Sequence, residues 1–140
     1  MDECLEIGVT RRIDAPVDAV WRAFLDEDVF ASWFWPRRLE PVYTLEPRVG
    51  GRWSVSSPVA SMAVGGVFLA IDEPSALSFS WRWEGEPHDS SVSVLLAPAR
   101  EHTTLVDVTH SWIADETAAA DLQQGWNDCL DRLPAALAGH

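Results

Sequence analysis

Thr104, Val106, Val108 and His110 occupy alternate positions of one strand-like run, and a period of two places them on a single face. An imidazole held among valines has a lowered pKa. It suits donating a hydrogen bond to a ligand carbonyl or acting as a general base. The plainer reading of the same residue is a structural histidine bonded to a backbone carbonyl or to Trp or Ser neighbours. His110 is therefore the candidate catalytic residue, with a structural role as its alternative.

Tryptophan is the second chemical signal. The chain has 8 Trp in 140 residues, and each ring buries about 150–250 Å² or lines a cavity. Trp33, Phe34 and Trp35 are expected at the mouth of such a cavity. Trp53, Phe79, Trp81, Trp83, Trp112 and Trp126 are expected to face its interior. Together with Leu122 and His110, these rings give the expected ligand contacts: Trp33, Trp35, Trp53, Phe79, Trp81, His110, Leu122 and Trp126. Ordinary core packing is the competing reading for any one ring, whereas a pocket is characteristically apolar with a few polar groups. Gly125, beside Trp126, sits inside a helical pattern, where glycine costs on the order of 1 kcal/mol relative to alanine. It would admit either a ligand or a close-packed strand.

Other chemistry finds little support. Arg52, Arg82 and Glu84 could supply polar groups at a rim, but alternation points Arg82 away from Trp81 and Trp83, toward a surface ion pair. His88 and His102 fall in expected loops and His140 is terminal. No histidines or cysteines have zinc-ligand spacing, so no metal and no cofactor are expected. There is no GxSxG motif, and neither Cys129 nor Ser111 has a recognisable base nearby.

Composition narrows the partners. A net charge of -12, from 22 acidic and 10 basic residues, argues against nucleic acid or an anionic membrane, which require clustered cations. All the basic residues are Arg. Cys4 and Cys129 lie near opposite ends of the chain, so a disulfide framework is not expected. No apolar run is long enough to span a bilayer, and the opening MDECLE is not a targeting sequence, which together indicate a cytoplasmic protein. The length of 140 residues suggests one domain, spanning 1–140, with a single core.

The elements that must position these residues can be read in order. Leu5, Ile7 and Val9 alternate with polar or small residues in a first strand that continues to Ile13. Pro16 then opens a short helix with Val17, Val20, Trp21 and Phe24 as its stripe. The acidic run 26–28 breaks it and caps a second helix through Val29, Phe30 and Trp33, which Pro36 stops. Strand-like segments follow near 40–46, 51–57, 62–72, 76–83, 91–97 and 102–112, with short Gly- and Pro-containing breaks that favour hairpins. Leu77, Phe79, Trp81 and Trp83 share one face of their strand, and Trp112 continues the inward face of His110. Finally Ala118, Leu122, Trp126, Cys129, Leu133 and Leu137 define one face of a helix from Asp115 to Leu137, roughly 34 Å long at 1.5 Å per residue. Its opposite face carries Glu116, Gln123, Asp128, Asp131 and Arg132. Asp115 or Thr117 is placed to cap its start, and Pro134 to disturb its last turns. The expected fold is α+β: a six-stranded curved antiparallel sheet wrapped around the long C-terminal helix, with two short helices after the first strand.

Several separated motifs carry a family resemblance. They are Ala15-Pro16 with Val20-Trp21, Trp33-Phe34 with Pro36, Gly50-Gly51-Arg52-Trp53, and Ile71-Asp72 and Pro74 leading to Leu77, Phe79 and Trp81. The alternating residues ending at His110 follow, then Gly125-Trp126 with Leu130, Leu133 and Leu137. In order and spacing the chain resembles the helix-grip domains of the START-like, Bet v-like (SRPBCC) superfamily. Within it, the likeness is to the C-terminal domain of the heat-shock-protein-ninety ATPase activator. The resemblance implies the fold and a cavity; one fold supports many functions. Trp35 and Leu69-Ala70 add apolar bulk to the family pattern, implying a narrower cavity, a more aromatic lid or a dimerisation patch.

The leading expectation is thus a protein that binds a small hydrophobic or aromatic molecule without catalysis. The alternatives are a polyketide cyclase- or hydrolase-like enzyme using His110, and an interaction protein, either a homodimer or a chaperone partner.

Overall fold

A computed structural model describes residues 5–100 and 102–138; Cys4 and His140 lie outside them. Strand β1 (Leu5–Ile13) leads into helices α1 (Val17–Leu25) and α2 (Glu27–Ala31). A single 3-10 turn at Arg37–Leu39 precedes strands β2 (Val42–Leu45), β3 (Arg52–Ser57), β4 (Met62–Asp72), β5 (Ala76–Trp83), β6 (Ser90–Arg100) and β7 (Thr103–Ile113). Helix α3 (Glu116–Ala138) closes the chain. Each hairpin expected from the Gly- and Pro-containing breaks pairs antiparallel.

The sheet has seven strands rather than six, in the order β1-β7-β6-β5-β4-β3-β2. The additional member is β1, which pairs antiparallel with β7. Its alternating pattern marks it as a strand, but pairing across almost the whole chain leaves no local signal.

Local chemistry accounts for the element boundaries. Asp26 ends α1 and caps α2, its Oδ1 accepting from the Asp28 and Val29 amides at 3.0 and 3.3 Å. Asp115, not Thr117, caps α3: its Oδ1 accepts from the Ala118 amide at 2.8 Å. Pro134 lies within α3, which continues to Ala138.

The inner sheet face and α3 enclose the core. Val55, Val64, Leu77, Val92, Val94, Val106 and Val108 are buried on the strands, and Trp126, Cys129, Leu130 and Leu133 on the helix. The expected apolar stripe of α3 therefore faces inward. Its polar flank is tied to β1: Arg11 Nη2 donates to Asn127 Oδ1 at 2.6 Å and to Asp131 Oδ1 at 3.2 Å, and Gln123 Nε2 to the Gly8 carbonyl at 3.2 Å. Thr104 Oγ1 donates to the Ala15 carbonyl at 2.8 Å, anchoring β7 to the start of α1. Among the described residues, no helix is long and apolar enough to cross a membrane.

Two irregularities reverse expected side-chain directions. Trp112 adopts a left-handed φ of 61° where the β1–β7 register shifts, between the pairs Ile7–His110 and Leu5–Ile113. The extra residue turns Trp112 outward to 59% exposure and brings Ile113 into the core at 3%. Trp112 thus does not face the interior. Leu69 and Ala70 lie at a second irregularity, between the pairs Phe68–Phe79 and Ala70–Ser78, and both are exposed. Their apolar bulk does not narrow the interior.

Candidate functional site

An aromatic cluster occupies the space between α2, the sheet and α3. Phe34 is its hub, stacked on Phe30 with ring centroids 4.5 Å apart and meeting Trp53, Trp81 and Trp126 edge-on at 6.3, 6.2 and 5.8 Å. Such edge-to-face geometry aligns ring edges with π faces and adds to the area term. Trp33 is fully buried, its Nε1 donating to the Ala23 carbonyl at 2.9 Å. Trp53 Nε1 donates to the Ser80 carbonyl at 2.9 Å, and its ring meets that of Phe79 at 5.2 Å.

Beside this cluster lies a cavity of about 500 Å³. The first half of α3 forms one wall, through Ala118, Leu122, Gly125, Trp126 and Cys129. Trp81 and Trp83 of β5 and the segment from Phe34 to Leu39 form the others. The exposed Arg38, Met62, Asp121 and Asp128 complete its rim. The Trp35 and Trp83 rings stack at 6.2 Å with 20° between their planes. Trp35 is also fixed through its backbone, whose N–H donates to Tyr43 Oη at 2.9 Å. Burial raises the Tyr43 pKa to about 12, so its phenol stays protonated. At 9% exposure, Trp35 offers little surface to a second subunit.

Of the expected contacts, Trp35, Trp81, Leu122 and Trp126 line the cavity. Trp33, Trp53, Phe79 and His110 do not. They lie in the packed layer behind it. The lining also takes in Arg38, Leu39, Met62 and Asp121, which no sequence motif marked, and Asp128 and Arg132, which were expected on the opposite face of α3. Arg38 and Leu39 belong to the 3-10 turn after Pro36, too short to show a helical period. Met62 starts β4 and is no more distinctive in sequence than its neighbours; only the folded sheet brings it to this rim.

His110 is fully buried. The Trp126 indole N–H donates to its Nδ1 at 3.1 Å, and its Nε2 lies 2.7 Å from Ser90 Oγ. An indole N–H can only donate, so Nδ1 accepts and the ring proton resides on Nε2, donating to Ser90. The Ser90 hydroxyl in turn donates to the Trp81 carbonyl at 3.4 Å. Burial lowers the His110 pKa to about 4, keeping the ring neutral and in this tautomer. Neither nitrogen is left to take a proton from, or give one to, a molecule in the cavity.

Arg132 was expected on the solvent face of α3, yet it binds the aromatic segment. Its Nε donates to the Trp33 carbonyl at 2.9 Å and its Nη2 to the Phe34 carbonyl at 2.8 Å. The Cys129 thiol donates to the same Phe34 carbonyl at 2.9 Å. Burial pushes the Cys129 pKa up to about 12, so it remains a thiol and a poor nucleophile. Arg82 pairs with Asp89 on the surface.

A curved antiparallel sheet gripping a long C-terminal helix, with a cavity along that helix, defines a helix-grip domain. The family profile described as "Activator of Hsp90 ATPase homolog 1-like protein" matches residues 14–138, and the chain belongs to that family. No curated protein matches it. CV1439 from Chromobacterium violaceum is 25% identical with a TM-score of 0.81, covering 94% of this chain and 96% of that one. CalU16 from Micromonospora echinospora is 30% identical with a TM-score of 0.75, covering 94% and 75%. PFC0360w, an HSP90 activator from Plasmodium falciparum, shares the fold at 20% identity and a TM-score of 0.77, covering 95% and 96%.

Proposed function

We propose that this protein binds a small hydrophobic or aromatic molecule in the cavity between α3, β5 and the Phe34–Leu39 segment, and does no chemistry on it. One observation carries the reading: a cavity of about 500 Å³ whose walls include the rings of Phe34, Trp35, Trp81, Trp83 and Trp126. That size and apolar character suit a drug-sized ligand. Trp35, Trp81, Leu122 and Trp126 are the proposed contacts, and the cytoplasm the proposed location. The bonded ring nitrogens of His110 favour binding over acid–base catalysis. A chaperone-partner role has behind it the family and the shared fold of the Plasmodium activator, with no surface here that points to it.

Tryptophan emission titrated against fatty acids, flavonoids, polyketides and the neutral probe N-phenyl-1-naphthylamine tests the reading. Saturable quenching or a shift by at least one compound is expected. No response from the whole panel overturns it.

A further inference from the structure

Gly125 lines the cavity in the middle of α3. Most of the other described glycines have evident structural reasons, although Gly8, whose Cβ would meet only the Val108 carbonyl oxygen at 3.8 Å, has none. A Cβ on Gly51 would stand 2.2 Å from the Glu46 carbonyl oxygen, and one on Gly66 would stand 2.1 Å from that of Ser80; Gly50 and Gly85 have φ of 83° and 88°. None of these reasons applies at Gly125. Its φ is not in the left-handed region, and a Cβ built there meets nothing within 4 Å. Close packing of helix against sheet therefore does not require it. Glycine is also the poorest helix former apart from proline, so the residue weakens the element that the fold grips. A local rule broken without structural compensation is expected where function requires it.

We propose that Gly125 is the specificity-determining position of the cavity, the point where a ligand ring lies directly against the α3 backbone. The proposal rests on the ligand-binding reading. Leu122 and Trp126 flank the glycine on the helix, and Trp81, Trp83 and Trp35 contribute the remaining aromatic wall. A peptide plane left bare between two apolar side chains accepts the flat face or edge of an aromatic ring. A methyl group at this position projects into the space that ring would occupy. A second feature points to an occupant bearing an oxygen acceptor. Trp81 is 5% exposed, and its Nε1 is a buried side-chain donor without a partner. A carbonyl or ring oxygen on the ligand is the group this donor lacks.

The Gly125→Ala variant separates the two roles, because propensity and binding predict opposite signs. Thermal unfolding and N-phenyl-1-naphthylamine titration are measured on the wild type and the variant. The melting temperature is expected to rise by about 2–4 °C. The dissociation constant is expected to increase roughly tenfold, the scale on which a site senses one carbon atom. Equal affinity for the probe in both proteins overturns the assignment of Gly125 and leaves the cavity reading standing. A lower melting temperature in the variant makes the glycine a structural necessity and also overturns it. Where the wild type binds another compound of the panel but not this probe, the same comparison is made with that compound; a wild type that binds none of the panel removes both proposals together.

Discussion

The Trp126 indole N–H donates across 3.1 Å to Nδ1 of His110, joining the cavity wall on α3 to a strand residue with no exposed surface. That bond dictates the tautomer of the imidazole and, through it, the partner of Ser90. His110 acts on the cavity by holding one of its walls in place.

Replacing the ring with an apolar side chain of similar bulk tests this. His110→Leu leaves the Trp126 N–H and the Ser90 hydroxyl without their partner in the interior. A loss of about 2–4 kcal/mol is expected, since each unsatisfied buried polar group costs about 1–3 kcal/mol. Urea unfolding measures it; a loss below about 1 kcal/mol would show that the network is not needed.

The same residue predicts a pH dependence. The folded pKa of about 4 lies below the ordinary 6.5, so between these values the unfolded chain binds the proton more readily. Stability from this group is fully present above pH 6.5 and declines as the pH falls toward 4, by on the order of 3 kcal/mol. The side chains packed on the imidazole, Ser90, Trp81 and Trp126, do not titrate in this range. Subtracting the His110→Leu curve isolates the effect from the carboxylates. A flat difference between pH 6.5 and 4 would contradict it.

Arg132 bridges two consecutive carbonyls with a forked guanidinium. Arg132→Ala should cost about 1–3 kcal/mol, through an unpaired Trp33 carbonyl and a Phe34 carbonyl left with the weaker Cys129 thiol. Lysine presents a single point of donation and cannot span both acceptors, so Arg132→Lys should recover less than half of the loss. Full recovery would reduce the role of Arg132 to its charge.

Exchanging adjacent residues at the β7 irregularity should have unequal effects. Trp112 is 59% exposed with a left-handed φ, and Ile113 is 3% exposed. Trp112→Gly should change stability by no more than about 0.5 kcal/mol, since glycine adopts this φ freely. Ile113→Ala should cost about 2–5 kcal/mol. Equal costs would place both side chains in the core.

These residues also show what the sequence makes legible. Alternation locates the strands, and the stripe from Ala118 to Leu137 locates α3, because burial of one face is a local, periodic property. Trp112 escapes that logic: one inserted residue inverts the direction of every side chain after it, and no letter announces the insertion. Arg132 escapes because a charged residue reads as solvated while backbone carbonyls, present at every position, leave no trace in the sequence. Inward direction identified His110 as buried, yet its bonds to Ser90 and Trp126 arise between elements far apart in the chain. The cavity is less legible still. Trp35, Trp81, Leu122 and Trp126 could be nominated as large apolar groups, whereas Arg38 and Met62 become neighbours of α3 only through tertiary assembly.

The pairing of β1 with β7 has a consequence for biogenesis. β1 is made before the other strands of this sheet and its partner after all of them, and α3, which locks onto β1 through Arg11, follows β7. The hairpins from β2 to β7 can form as they appear, while β1 waits with its edge unpaired. Such an edge invites intermolecular pairing. Before β7 is made both edges of β1 are open, whereas in the finished sheet β7 covers one of them and α3 packs against the strand.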